Sequence, residues 1–343
     1  MIRFFVIAST FLLLILFSYP DAVRAEDSVL RPVEPILNSA IDDVIEQRYD
    51  AAFLRADTIA QIGHVPEAWT LRALILQAWI IDYESFNRVD EFNAACDSAE
   101  NRMSGLRSSA PGYAYLSFGL VSSFRATIAM RQEKWITAMR ASMAMKSELE
   151  DALAADSSLT DSYVGLGSFD YWSSRKLRFL PFFGDNRERG IRNIKRALHF
   201  SRINTASAAT ALIWIYIDRG DNALALAMAK DELSKYPEAR SFLWAAAEAA
   251  YAMGDWKNGM AYYQQILASV RSDPNQNNHF NELGCYHRLA SMSVKTGDTT
   301  AALGYVNKGL SMRLTPDIRD RKKKDLADFN RWLKEWSGTT NRE

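Results

Sequence analysis

The chain has 343 residues, of which 48% are hydrophobic, with 41 basic and 41 acidic side chains. That is ample material for a core. A charge balance near zero lacks the broad positive field that a phosphate backbone requires, so nucleic acid is not expected as a partner. Two cysteines (Cys96, Cys285) and four scattered histidines (His64, His199, His279, His287) leave almost nothing for a metal site, and no metal or cofactor is expected.

Residues 1–25 read as a secretory signal. Arg3 precedes the apolar run FFVIASTFLLLILF, Phe4 to Phe17, and Pro20 and the small-residue site Val23-Arg24-Ala25 follow. Processing after Ala25 leaves 39 basic and 40 acidic side chains. The expected location is beyond the inner membrane, in the periplasm, and membrane contact is not expected once the signal is gone. A retained anchor is the alternative. With no cysteine before Cys96, a lipid-anchored bacterial form is not expected.

Residues 35–160 read as successive helices. ILNSAIDDVIEQRYDAAFLRADTIAQI and PEAWTLRALILQAWIIDYESF carry helical periodicity, and the stretch from Tyr113 to Leu153 reads as two helices meeting near Gln132. Alternating runs bounded by turn residues, the signature of strands, are missing.

From residue 161 to 316 a period emerges. Gly220-Asp221 and Gly254-Asp255 stand 34 residues apart, and Gly297-Asp298 follows 43 residues later, the excess falling in the polar run SDPNQNN. Each pair lies between two apolar helical stretches, so each unit reads as helix, tight turn, helix. The glycine takes the left-handed conformation that ends the first helix. The aspartate is placed to cap the second. Further upstream, Gly184-Asp185-Asn186 echoes Gly220-Asp221-Asn222, and Asp185 with Glu188 reads as a capping box.

This helical hairpin resembles the tetratricopeptide repeat. The resemblance is carried by Leu212, Tyr216, Ala225, Leu233 and Pro237, then Ala246, Ala247, Tyr263 and Leu267, then Leu289, Ala290, Ala302 and Leu310. It implies an all-α fold, a right-handed α-solenoid whose first helices line an open concave groove. Over residues 163–200 the chain also resembles the tetratricopeptide-39 and inclusion-body-clearance family, through Gly165, Gly167, Phe169, Ser173, Leu180-Pro181, Phe183-Gly184-Asp185, Arg187-Glu188 and Gly190.

Residues 317–336 close the chain as an amphipathic cap. Ile318, Leu326, Phe329, Trp332, Leu333 and Trp336 share one face, with Arg319 and Arg321 to Lys324 opposite. The basic run reads as a solvated cap face, with anionic lipid as the other reading.

The repeat resemblance implies a partner-binding groove at Tyr171, Trp172, Thr210, Trp214, Asp218, Trp244, Glu248, Tyr251, His287 and Lys295. Trp172, Trp214 and Trp244 form a column that either anchors a partner or packs between hairpins. No nucleophile, phosphate or metal motif is present, so no catalytic residue is assigned and the chain is not expected to be an enzyme. The expected function is a non-catalytic exported scaffold for a protein or peptide segment. Two alternatives stand beside it. Acidic residues beside aromatics (Asp82 with Tyr83 and Glu84, Asp170 with Tyr171 and Trp172, Glu248 before Tyr251) leave open an α/α toroid acting on carbohydrate. The aromatic segment 169–190 leaves open a lipid or apolar-ligand site, or a satellite core beneath a loop.

Overall fold

A computed structural model describes residues 32–177, 184–201, 203 and 205–337. The signal segment and, within the aromatic segment, Phe179 to Phe183 lie outside the described residues. No helix among the described residues is long and apolar enough to cross a membrane.

The described chain is helical throughout and contains no strand. Its helices pair into seven hairpins: α1 (Glu34–Ile45) with α2 (Tyr49–Gln61), α3 (Val65–Tyr83) with α4 (Val89–Met103), and α5 (Pro111–Arg131) with α6 (Trp135–Ala155). Then follow α7 (Ser162–Leu177) with α8 (Arg187–Phe200), α9 (Thr205–Arg219) with α10 (Asn222–Lys235), α11 (Arg240–Ala252) with α12 (Trp256–Ser272), and α13 (Phe280–Lys295) with α14 (Thr299–Leu310). A short helix, α15 (Pro316–Arg321), and a longer one, α16 (Lys323–Ser337), end the stack. Each hairpin packs on the next, which makes the chain an all-α solenoid of tetratricopeptide-like repeats.

The turn chemistry explains which hairpins the sequence reveals. Gly220, Gly254 and Gly297 have φ of 84°, 73° and 83°, the left-handed region a glycine enters freely. In the first three hairpins the same turn position is taken by Gln47, Glu84 and Glu133, with φ of 59°, 49° and 58°. Backbone geometry is kept while the glycine signature is lost. Of the three expected aspartate caps, Asp255 accepts from Asn258 N and Asp298 from Ala301 N. Asp221 does not cap, since its carboxylate is held by the Arg219 guanidinium at 3.0 Å. The capping box at Asp185 and Glu188 is likewise corrected. Asp185 binds Arg187, and Glu188 reaches across to Arg219 at 2.8 Å.

Helices α7 and α8 cross at backbone distance. A Cβ on Gly167 would stand 2.5 Å from the Gly190 carbonyl, and one on Gly190 would stand 2.5 Å from that of Gly167. Small residues are therefore required here by packing. At the far end Phe329 is buried and seats against Gly309, where any Cβ would overlap its ring. Trp332 stacks between His287 and Trp336.

The stack does not stay open as expected. It closes on itself, the first two hairpins seating on the fifth to the seventh. Tyr236 OH donates to Asp42 at 2.7 Å, and Ile45 packs against the core of the middle hairpins. Arg240 Nε donates to Asp82 Oδ1 at 2.8 Å, and its guanidinium also reaches Asp273 at 3.2 Å. Tyr83 OH donates to the same Asp273 carboxylate at 3.0 Å. The end of α3 supplies carbonyl oxygens as well: Gln276 and Asn281 donate to that of Asp82, and Asn278 to that of Tyr83. Arg321 and Arg131 both bind the Glu84 carboxylate. Part of the C-terminal basic run is thus structural, with Arg321 also lying over the Phe86 and Phe280 rings.

Candidate functional site

The candidate wall is formed by the first helices of the last four hairpins: α7, α9, α11 and α13. Adjacent helices are tied across it by charge. On α7, Tyr171 OH and Arg175 Nε both donate to Asp218 of α9, at 2.7 and 3.1 Å. Burial, and then the Asp218 hydrogen bond, push the Tyr171 phenol well above its ordinary range. On α13, Arg288 clamps the Glu248 carboxylate of α11 with two hydrogen bonds of 3.1 and 2.8 Å. The same guanidinium lies 4.3 Å over the Tyr251 ring, whose hydroxyl pairs with Ser291 at 3.1 Å.

These ties place the residues singled out in the sequence. Tyr171 is buried in the core rather than lining a groove. Trp172 packs edge-on against it, and Trp244 packs edge-on against buried Tyr263. Thr210 returns its hydroxyl to the Ala206 carbonyl within its own helix. His287 is taken by Asp328 at 3.1 Å and by the Trp332 ring. Trp214 is different: it stands 37% exposed on α9. Lys295 is exposed at the end of α13, with no ion pair among the described residues. Of the tryptophan column, two members serve packing and one faces out.

Each acidic residue noted beside an aromatic has an arginine. Asp82 is held by Arg240, Glu84 by Arg321 and Arg131, Asp170 by two guanidinium nitrogens of Arg189, and Glu248 by Arg288. An open cleft of about 480 Å³ lies elsewhere, between α8 and the α9–α10 turn, lined by Glu188, Ile191, Lys195, Tyr216, Arg219 and Leu224.

Sequence reading missed two features. The clasp formed by Asp82, Arg240 and Asp273 gives no sequence signal, because its parts are 33 to 191 positions apart. The outward face of α6 had one: an apolar row at helical spacing on the side opposite the buried row.

No protein-family model matches the chain, nor does any curated protein. Among solved structures it is similar to the human IFIT1 dimer with m7Gppp-AAAA, at 13% identity and a TM-score of 0.42, covering 90% of this chain and 82% of that one. It is also similar to the human IFIT1 dimer with PPP-AAAA, at 12% identity and the same TM-score, covering 91% and 81%. These neighbours hold RNA oligonucleotides, and the expectation of no nucleic-acid partner is corrected accordingly. The physical flaw in that expectation is that net charge averages over the surface. Cations can still gather on one face, as they do on α8.

Proposed function

We propose that this protein is an exported, non-catalytic helical-repeat scaffold that holds an extended protein or peptide segment along the wall of α7, α9, α11 and α13. The observation that carries the reading is Trp214, an aromatic anchor left exposed on a wall whose other tryptophans are packed. Arg175 with Asp218, Glu248 with Arg288, and exposed Lys295 give the same wall alternating charges that would fix the register of a bound chain. The clasp supports the reading physically, since a wall braced at its loop edge loses little freedom on binding. The arginine-bound state of every singled-out carboxylate favours a scaffold over the carbohydrate-active alternative. Export to the periplasm belongs to the proposal through residues 3–25. Kinship of residues 163–200 with the tetratricopeptide-39 family belongs to it through the Gly167–Gly190 crossing.

The test is a photo-crosslinking residue in place of Trp214, followed by mass spectrometry of adducts from the native envelope. A discrete protein adduct, weakened in a Lys295→Glu background, is expected. Adducts that disappear with ribonuclease, or no adduct at position 214 beyond that at an exposed site on α12, would overturn the reading.

A further inference from the structure

The outer wall of the third and fourth hairpins carries a second surface, away from the wall just described. Helix α6 buries Ala138, Met145, Leu149 and Ala152 on one face. On the opposite face stand Trp135, Ile136, Met139 and Met143, exposed by 65%, 71%, 56% and 61%. Residues 135, 139 and 143 follow at intervals of four, so they form a straight row about 12 Å long, with Ile136 beside it. Lys134 and Arg140 flank the row and have no ion pair among the described residues.

The row runs on into charge. Lys146 pairs with Glu150 at 2.5 Å on α6, and the charge of Glu150 reaches Arg189 at the start of α8 in the next hairpin. On α8 the residues Arg192, Lys195, Arg196 and His199 are exposed at spacings of three, four and seven, a single helical face. Arg192, Lys195 and Arg196 have no carboxylate partner among the described residues, although Arg196 lies 4.5 Å over the Tyr163 ring. In the same neighbourhood Arg187 and Arg189 are each bound to an aspartate.

We propose that this outer wall docks on the surface of an anionic lipid bilayer. Trp135, Ile136, Met139 and Met143 enter the boundary between headgroups and acyl chains, while Arg140, Arg192, Lys195 and Arg196 pair with lipid phosphates. The chemistry selects this occupant. A free polyanion would be served by the cations and would leave the apolar row in water. A second copy of the chain would meet the row with roughly 500 Å² per partner, short of the roughly 800 Å² of a stable interface. A bilayer sets no such threshold. An exposed amphipathic row with tryptophan at its end and cations at its side is the form that lies in a membrane interface.

The test uses the full chain with Met139→Cys carrying an environment-sensitive dye. The native thiols of Cys96 and Cys285 are fully buried, so the introduced one labels alone. Lys257→Cys on α12 is the control. The apolar run at residues 4–17 can bind vesicles in every variant, and a local probe is indifferent to it. Vesicles of phosphatidylcholine with phosphatidylglycerol are expected to move the dye at position 139, and not at 257, into an apolar environment. The charge reversal R192E/K195E/R196E is expected to weaken that response at least tenfold. A dye that stays in water beside anionic vesicles overturns the proposal. So does one that responds to protein concentration without vesicles, which would make the occupant a second copy, or one that responds to polyphosphate alone.

Discussion

Arg240 and Asp82 are 158 residues apart in the chain and meet through a 2.8 Å hydrogen bond at the junction of α3 with α11. The Arg240 side chain is only 5% exposed, and Asp273 and Ser269 complete its ring of acceptors. Hydrogen bonds and charge from Asp82 outweigh the cost of burial, and the guanidinium is held firmly protonated. The pair converts a row of hairpins into a closed body.

Removing one partner of this clasp leaves charge buried and uncompensated. Arg240→Ala is expected to lower unfolding stability by about 3–5 kcal/mol, measured by urea denaturation. Adding Asp82→Ala is expected to recover part of that loss. Strict additivity of the two changes would show that the pair is not coupled.

Two glycine substitutions should have opposite signs. Gly167→Ala forces a methyl to 2.5 Å from the Gly190 carbonyl, so α7 and α8 must part, and a loss of about 2 kcal/mol or more is expected. Gly304→Ala, inside α14 with nothing near its added methyl, is expected to gain about 0.5–1 kcal/mol. Thermal melting of the two variants checks both.

Two buried carboxyls should bend the acid limb of stability in opposite directions. Burial pushes Asp43 up, but hydrogen bonds and charge from Arg55 and Arg48 override it, and the carboxyl sits below its ordinary 3.8. Its stabilisation is present above that value and is lost as pH falls through the lowered one. Burial raises Glu67 above its ordinary 4.5, against His64, and one of its oxygens has no hydrogen-bond partner. Glu67 therefore costs stability at neutral pH, a cost that vanishes as pH falls through its raised value. Glu67→Gln should stabilise at neutral pH and lose stability more steeply in acid. Asp43→Asn should destabilise at neutral pH and flatten the acid limb. Urea midpoints across the acid range read both.

Neither cysteine should react in the folded protein. Burial pushes the Cys96 thiol to about 12 and the Cys285 thiol well above its ordinary value. They lie in separate parts of the core, on α4 and α13. Iodoacetamide at mildly alkaline pH is expected to modify neither until denaturant is added, and then both.

Legibility followed locality. The last three hairpins were readable because Gly220, Gly254 and Gly297 mark a conformation that costs other residues energy. The first three spend that energy at Gln47, Glu84 and Glu133, so their helices were readable from periodicity while their turns were not. Exposure along the candidate wall was not legible in the sequence. Trp172, Trp214 and Trp244 look alike in sequence, and only neighbouring helices decide that two are packed and one is open.

The sequence by itself determined what depends on residues within one hairpin: all-helical structure, the Gly-Asp turns and the repeat that stacks. Turn geometry and helical periodicity act over a few residues, and the chain carries them wherever it goes. The tertiary structure alone decided that the stack closes, through Asp82, Arg240 and Asp273, and which side chains stay exposed once it has. Those outcomes depend on the small rotation between successive hairpins, summed over the whole stack, and no local stretch of sequence encodes that sum.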